Sequence, residues 1–333
     1  MSTRELTLQD LLERVDILDT LESTLAHILD NYNLGTLIRV EPMFVGHEEM
    51  NVAIVTSTGK YGVKFINKRK PKSIAQGLVD AMLNFDQQGI PVTKLHSTKA
   101  GQYLFQMKPP IGRGFLFIAD YFEGKTFHQT RVTNSDLVKL TQYIAQIHQL
   151  KFTPHPEYDF WLPQYLAKEF KSNGKCLNQE DRQQVDVAVK LFQAIDFSRC
   201  SQSIGHFDLH RDNIKKDSTG NICFFDLATV GLGASILDLG SFIGFFLDPH
   251  QSLRQHQRRY HLIVNTYTKV HHLNQYELSH LFDCVKIIFA SNVLGAYYLI
   301  ATEDDDTEET HKWYRFGKWG LNTLLSINSQ EFI

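Results

Sequence analysis

The residues of this chain that are best suited to chemistry lie within one stretch, 204–240. Asp208 and Asn213 stand close together in a polar segment, and Asp226 ends the short apolar run 221–226, which is typical of a buried strand. The polar connection before this run ends in Thr-Gly, as the turn of a hairpin does. We therefore expect a hairpin that brings Asn213 and Asp226 together, with Asp208 nearby.

These oxygen-bearing side chains suit a magnesium ion and a phosphoryl donor. Mg²⁺ takes few protein ligands, keeps several waters and completes its coordination with substrate phosphates. Phosphoryl transfer needs one carboxylate that orients the attacking hydroxyl and accepts its proton, and an Asn and an Asp that hold the metal ions of the triphosphate. The sequence therefore predicts Asp208 as the catalytic residue, and Asn213 and Asp226 as metal ligands.

Residues 206–213, His-Phe-Asp-Leu-His-Arg-Asp-Asn, resemble the catalytic loop of the kinase-like small-molecule phosphotransferases, which include aminoglycoside, choline and homoserine kinases. Phe225-Asp226 resembles the metal-binding Asp of that family. Phe207 stands where the family often has Gly, and Arg211-Asp212 where it often has Pro-Gly. The resemblance implies ATP and Mg²⁺ as cofactors and a two-lobed, protein-kinase-like fold of the α+β class.

Asp238 lies on the next predicted helix, 236–247. We expect its carboxylate to hold the backbone of the catalytic loop by hydrogen bonds and to touch no substrate. The interval between Asp226 and Asp238 is too short for the activation segment of a protein kinase. The predicted acceptor is therefore a small molecule with a hydroxyl group.

Lys64 lies inside the otherwise apolar strand 61–66, after a hairpin signal at 58–60 and before a predicted helix that begins at Ser73. A lysine in such a strand can simply snorkel at a sheet edge. In the family resemblance, this is the lysine that grips the α- and β-phosphates. Kinase-like folds orient it with an acid on the following helix. That helix has no Glu, and Asp80 is the only acid in its first turns.

The strand 115–122 ends before Glu123-Gly124. Propensity alone explains a strand followed by a turn. In the family resemblance this is the hinge between the lobes, where the backbone of 120–122 would hydrogen-bond adenine. The residues predicted to bind the nucleotide are Lys64, Asp80, Asp120, Tyr121 and Phe122.

Two further segments lie near the predicted nucleotide. The turn 44–50 occupies the position of a phosphate-covering loop but contains a single Gly. The basic run 68–72 is typical of a solvated turn, and it could also add positive potential near the nucleotide.

The order of predicted elements divides the chain into three parts. Residues 1–34 form a helical extension, 35–123 a β-rich nucleotide-binding lobe, and 124–333 a mostly helical lobe for catalysis and substrate binding. In the last part, helical periodicity predicts helices at 134–147, 253–270, 276–300 and 308–328. His148, at the end of the first of these, is expected to be a packed structural histidine.

The composition limits the classes of partner. A net charge of −3 gives no electrostatic reason for binding nucleic acid or an anionic membrane. The four cysteines form no Cys-x-x-Cys pair, as expected for reduced thiols in a cytoplasmic protein. The start of the chain is polar, and the longest apolar run, 285–300, is shorter than the ~18–20 residues of a membrane span. The oligomeric state is not indicated by the sequence.

Two clusters allow more than one interpretation. The histidines at 256, 261, 271 and 272 lack the i, i+4 spacing of a zinc-binding helix, which argues against a metal site. The acidic run 303–309 is typical of a solvated loop between helices, but it could instead line the acceptor site and attract a cationic substrate.

The order of elements resembles the homoserine and choline kinases most closely. An amino alcohol or amino acid is therefore the first predicted acceptor of the γ-phosphoryl group of ATP, and an aminoglycoside-type antibiotic is the second. A nucleotide-binding pseudokinase that acts as an interaction module is an alternative from another class. The complete set of Lys64, Asp208, Asn213 and Asp226 argues against that alternative.

Overall fold

The computed structural model describes residues 7–44, 49–156, 158–303 and 305–332. Most of the predicted phosphate-covering turn lies outside the described residues, as does Asp304 of the acidic run. The described residues form a β-rich lobe up to Asp120 and a mostly helical lobe after it, with a cleft between them.

The first lobe holds most of the strands and the second lobe most of the helices, as the sequence patterns predict. The strands are β1 (Asp16–Ile17), β2 (Leu37–Met43), β3 (Met50–Thr56), β4 (Lys60–Phe65), β5 (Leu95–His96), β6 (Phe105–Met107), β7 (Gly112–Asp120), β8 (Lys125–Thr126), β9 (Gln202–Gly205), β10 (Ile214–Lys216), β11 (Ile222–Phe224) and β12 (Gly231–Ala234). The helices are α1 (Leu8–Arg14), α2 (Leu21–Leu29), α3 (Lys72–Gln87), α4 (Asn134–Ile147), α5 (Leu166–Asn173), α6 (Gln179–Ala194), α7 (Ser235–Phe246), α8 (Leu253–Tyr267), α9 (Gln275–Thr302) and α10 (Glu308–Leu324).

The sheet of the first lobe is antiparallel and places Lys64 on the face that borders the cleft. Its strand order is β1-β7-β4-β3-β2, and β5 and β6 also pair with β7. Val63 and Phe65 are buried in a core that includes residues of α1 and α2. Because side chains alternate along a strand, Lys64 between them points to the opposite face. The ladders set Lys64 opposite Asn51 on β3 and Phe117 on β7.

The helical extension predicted at 1–34 is divided in its described part, from residue 7 onward. Strand β1 interrupts it and joins the sheet by pairing Asp16 with Arg113. Thr20 then caps α2, because its hydroxyl accepts a backbone amide of the first turn. The apolar residues of α1 and α2 share a core with the sheet, so this segment packs as part of the first lobe.

Helix α9 is the centre of the second lobe and packs against α6, α7 and α10. It is long and apolar enough to cross a membrane by length and composition, but 72% of its most apolar window is buried within the protein. It is therefore a core helix, as predicted for 276–300. The helix predicted at 134–147 is confirmed as α4, and it begins with a capping box formed by Thr133 and Asp136.

The predicted hairpin after the catalytic loop is confirmed. Strands β10 and β11 are antiparallel, with Ile214 opposite Phe224. Just beyond this ladder the amide of Phe225 donates to the backbone oxygen of Asn213 at 2.8 Å. The hairpin therefore brings Asn213 and Asp226 to the same end of the two strands.

Candidate active site

Two functional positions have a backbone conformation that few residues adopt. Phe207, just before Asp208, has a φ of 61°, and Asp226 has a φ of 56°. This left-handed region costs a residue with a Cβ roughly 1–2 kcal/mol, so it persists only where the surrounding structure holds it. Glycine adopts it without strain, which explains why the family often has Gly where this chain has Phe207.

Two glycines make room for the ring of Phe207. The side chain is 1% exposed and packs against the paired strands β9 and β12. A Cβ on Gly205 would lie 2.8 Å from the ring, and one on Gly233 would lie 2.7 Å from it. The buried ring therefore helps to hold the loop in its strained conformation.

A buried carboxylate fixes the catalytic loop from the side away from the cleft. Asp238 accepts the amides of His206 at 3.1 Å and Phe207 at 2.6 Å. It also lies 2.9 Å from Nε2 of His148, whose Nδ1 lies 2.5 Å from the hydroxyl of Tyr267. The side chains of Asp238 and His148 are 0% exposed. The predictions that Asp238 holds the loop backbone and that His148 is structural are confirmed.

Asp208 and Asn213 are joined by hydrogen bonds at the cleft. Nδ2 of Asn213 donates to the backbone oxygen and to Oδ2 of Asp208, each at 2.9 Å. Within the described chain, Oδ1 of Asn213 accepts no hydrogen bond, so this oxygen is available to a cation. Burial raises the pKa of Asp208 well above its usual range, and the carboxylates of Asp159 and Asp226 add to this effect. A carboxylate with a raised pKa is a stronger proton acceptor.

His210 lies beside Asp208 and is uncharged. Its Nδ1 accepts the amide of Asp212 at 3.2 Å, so the ring proton is on Nε2, which lies 3.6 Å from Oδ2 of Asp208. Burial lowers the pKa of His210 to about 4, although the carboxylate of Asp212 acts in the opposite direction. The ring also packs on Trp313, with 4.8 Å between the ring centroids. The sequence motif includes this histidine but does not reveal these contacts.

The ammonium of Lys64 connects the two lobes. It donates to Oδ1 of Asp226 at 2.8 Å and lies 3.6 Å from Oε2 of Glu49. Burial acts to lower the pKa of Lys64, but the two carboxylates outweigh it and the pKa is raised. Desolvation acts to raise the pKa of Asp226, but the ammonium of Lys64 holds it at about 2. The predicted phosphate-binding lysine therefore lies against a predicted metal ligand.

Asp80 does not pair with Lys64, contrary to the prediction. Its carboxylate accepts a hydrogen bond from Gln76 of the same helix at 2.8 Å. Among the described residues of the first lobe, the acid that faces Lys64 is instead Glu49, which directly precedes β3. The basic run 68–72 is an exposed turn as predicted, except at Lys70, whose side chain is 7% exposed and whose ammonium contacts Glu49.

The cleft between the lobes has a volume of about 890 Å³, and Asp120, Tyr121 and Phe122 line one end of it. The amide of Asp120 donates to the backbone oxygen of Lys94 at 2.9 Å, and its carboxylate lies 2.6 Å from His96. The amide of Asp120 in the predicted hinge is therefore already engaged within the first lobe, and adenine binding by 120–122 stays a prediction. The apolar side chains along this end are Met43, Val52, Val63, Met82, Phe117 and Phe225.

The other end of the cleft is formed by residues of the second lobe: Tyr158, Asp159, Trp161, His210, Asn292, Glu308, Glu309 and Trp313. Part of the acidic run 303–309 lies at this end of the cleft. Glu308 and Glu309 line the cleft, whereas Asp305 accepts a backbone amide before α10 at 3.1 Å. Asp306 lies 2.5 Å from His311. The run is therefore neither a purely solvated loop nor wholly a wall of the cleft.

Comparison with solved structures establishes the fold. Amicoumacin kinase hAmiN, in complex with AMP-PNP, Ca²⁺ and Ami, has a TM-score of 0.69 at 15% identity, over 94% of this chain and 98% of that chain. The microcompartment-associated aminopropanol kinase has a TM-score of 0.68 at 13% identity, over 93% and 99%. Choline kinase LicA from Streptococcus pneumoniae has a TM-score of 0.63 at 14% identity, over 91% and 99%. The predicted two-lobed, protein-kinase-like fold is confirmed.

The amino-acid sequence matches no curated protein. Residues 41–273, more than half of the chain, match the sequence model of the phosphotransferase enzyme family. The match includes Lys64, Asp208, Asn213 and Asp226, whereas α9 and α10 at the acceptor end lie beyond it. The predicted membership is confirmed, and the chain belongs to the phosphotransferase enzyme family.

Proposed function

We propose that this protein transfers the γ-phosphoryl group of ATP to the hydroxyl of a small amine, with an amino alcohol as the first candidate. The observation that carries the proposal is the convergence of Lys64, Asp208, Asn213 and Asp226 on one cleft from both lobes. A chance polar loop has no reason to meet a buried lysine from another lobe. Phosphoryl transfer requires both parts together.

The residues present fit a divalent cation. Asp226 offers a carboxylate and Asn213 offers Oδ1, and a small set of oxygen ligands suits Mg²⁺. Bound Mg²⁺-ATP would supply the phosphoryl group and a metal charge beside the triphosphate. The similar fold of amicoumacin kinase, solved with AMP-PNP and Ca²⁺, supports a nucleotide and a divalent cation here.

Each of the chain's own residues has a role in this scheme. Lys64 binds the phosphates from the first lobe. Asp208 orients the acceptor hydroxyl and takes its proton, for which its raised pKa suits it. Asn213 donates to the carboxylate of Asp208 and so fixes its orientation. Tyr121 and Phe122 bind the base at the hinge end of the cleft.

The chemistry of the acceptor end favours a cationic substrate. Trp161 and Trp313 border the cleft, where a ring face can bind a cation, and the ammonium of Lys312 already lies 4.9 Å from the centroid of the Trp313 ring. The carboxylates of Asp159, Glu308 and Glu309 attract positive charge to the same end, and the Arg315 partner of Glu308 offsets part of this charge. Aminopropanol kinase and choline kinase, which share the fold, are named for amino alcohols. An antibiotic of the aminoglycoside type is the second candidate, supported by the similar fold of a solved aminoglycoside phosphotransferase, with a TM-score of 0.59 at 12% identity.

A substrate screen tests this function. Purified protein with Mg²⁺-ATP would be incubated with amino alcohols, amino acids, sugars and aminoglycosides, and ADP release would be followed beside mass spectrometry of the products. We expect ADP release that depends on an amino alcohol. Turnover with aminoglycosides alone would favour the second candidate. Nucleotide binding without turnover of any acceptor would contradict the proposal and favour an interaction module.

A further inference from the structure

Lys64 has two carboxylate partners, and the proposed reaction engages one of them. Asp226 is the nearer, at 2.8 Å, but its oxygens are the proposed ligands of the cation. A lysine that depended on Asp226 alone would lose part of its support when the metal-bound nucleotide enters. Glu49, at 3.6 Å, is the partner that this step leaves in place.

We propose that Glu49 is the positioning residue of Lys64, and that it keeps the ammonium within reach of the phosphates while Asp226 binds the metal. The inference rests on the proposed kinase function. It gives to the segment before β3 a role that the resemblance assigned to an acid on helix α3.

Glu49 is itself firmly held. Its side chain is 8% exposed, and its two oxygens face two cations, Oε2 toward Lys64 and Oε1 in contact with the ammonium of Lys70. Its backbone oxygen accepts a hydrogen bond from the guanidinium of Arg14 at 3.3 Å. A buried carboxylate is tolerated only where such partners offset the loss of water. These contacts fix the place of Glu49.

The register of the sheet sets Glu49 beside Lys64. In the antiparallel ladder of β3 and β4, Asn51 pairs with Lys64 and Met50 pairs with Phe65. Met50 is fully buried on the opposite face of the sheet. Because side chains alternate, Glu49 and Asn51 on either side of Met50 share the face of Lys64. All three line the cleft.

Helix α3 provides no replacement for Glu49. Its acids are Asp80 and Asp86. The carboxylate of Asp80 is bound by Gln76, and Asp86 lies exposed near the end of the helix. The helix instead packs on the sheet through apolar residues such as Leu78. The carboxylate that orients Lys64 therefore has to come from another element.

A double-mutant cycle separates positioning of Lys64 from general support of the fold. Calorimetry would measure the dissociation constant of Mg²⁺-AMP-PNP for wild type, Glu49→Gln, Lys64→Met and the double variant. We expect Glu49→Gln to weaken binding about tenfold in the wild-type background. In the Lys64→Met background the further loss should be less than about twofold, because Glu49 acts through Lys64. Asp80→Asn is the matched control on α3 and should change the constant by less than about twofold.

The metal provides a second readout. Without Mg²⁺, Asp226 is free to hold Lys64, so Glu49→Gln should weaken the binding of metal-free AMP-PNP less than it weakens the binding of Mg²⁺-AMP-PNP. A merely structural role of Glu49 would weaken both to the same extent. Equal losses with and without the metal would therefore overturn the inference.

Folding has its own control, because Glu49→Gln removes a carboxylate from Lys70. The double variant Glu49→Gln/Lys70→Met also removes the ammonium of Lys70 that faces residue 49. Its melting temperature should equal that of wild type, and its affinity for Mg²⁺-AMP-PNP should fall as much as that of Glu49→Gln. Unchanged binding of Mg²⁺-AMP-PNP by Glu49→Gln, or equal losses of affinity in both Lys64 backgrounds, would overturn this inference but not the proposed kinase function. No binding of Mg²⁺-AMP-PNP to the wild-type protein would overturn the kinase function and this inference together.

Discussion

The two halves of the active site are built in different ways. The half that carries Asp208 comes from one stretch of chain and is held by hydrogen bonds to the fully buried Asp238. The half that carries Lys64 is held by ion pairs with Glu49 and Asp226, which come from distant segments and from both lobes. Backbone hydrogen bonds to one buried group hold a single geometry, whereas an ion pair at the cleft can exchange partners. We therefore expect the half with Asp208 to be preorganised and the half with Lys64 to adjust when ligands enter.

The largest expected effect comes from replacing Asp208 and Asp226 singly with Asn. Asp208→Asn removes the proposed base, so turnover should fall by at least ~10²–10⁴-fold while Mg²⁺-nucleotide binding stays nearly intact. Asp226→Asn removes a proposed metal ligand, so Mg²⁺-dependent binding should weaken together with turnover. Calorimetry beside a turnover assay makes the comparison. The reverse pattern would invert the two roles, and full turnover in both variants would contradict the mechanism.

Because the two halves are held differently, removing a carboxylate from each should change the free energy of unfolding by different amounts. Asp238→Ala leaves His148 and two loop amides buried without their acceptor, so it should lower the free energy of unfolding by about 3–5 kcal/mol. The side chain of Asp226 is 42% exposed, so Asp226→Ala should change that free energy by less than about 1 kcal/mol. Urea unfolding of both variants measures this. Equal losses would mean that the two halves are not built differently.

The packing of Phe207 under the catalytic loop can be tested with a smaller change, a single methyl group added at a glycine. A Cβ at Gly233 would lie 2.7 Å from the ring of Phe207, so Gly233→Ala should cost about 1–3 kcal/mol and reduce turnover. Gly231→Ala, on the same strand, is the matched control because its Cβ would first meet Pro156 at 3.3 Å. Melting temperatures and turnover of the pair should differ accordingly. If both variants behave alike, the ring of Phe207 does not hold the loop.

The catalytic half could be predicted from the sequence because its parts are close together in the chain. One hairpin sets Asn213 beside Asp226, and Asp238 follows on the next helix. The left-handed conformation of Phe207 could not be predicted from periodicity, although the departure from Gly at that position marked it. Local patterns therefore describe this half almost completely.

The phosphate-binding half could be predicted only in part, because its contacts join segments far apart in the chain. Lys64 lies in the cleft, and its role at the phosphates stays a prediction, but the resemblance placed its partner on α3 at Asp80. The sequence did contain a signal for Glu49. The turn at 58–60 sets the register of β3 and β4, which places Asn51 opposite Lys64 and Glu49 on the same face. The inward position of Lys70 has no such signal, since it depends on the carboxylate that it meets.

The proposed acceptor end of the cleft is also built from segments far apart in the chain. Substitutions there should give the smallest effect on turnover. Glu308 and Glu309 line the cleft, so replacing both with Gln should raise the KM of a cationic acceptor about two- to fivefold. The effect should shrink with added salt, because exposed charges are screened over ~10 Å at 0.1 M.

Asp305→Asn is the matched control for this last prediction, because Asp305 binds a backbone amide before α10. It should lower the melting temperature slightly and leave the acceptor KM unchanged. The KM of ATP should stay the same in all these variants, since the proposed nucleotide site is at the other end of the cleft. An unaltered acceptor KM in the double Gln variant would mean that solvent already screens these two carboxylates. Recognition of the cation would then depend on Asp159 and on the rings of Trp161 and Trp313.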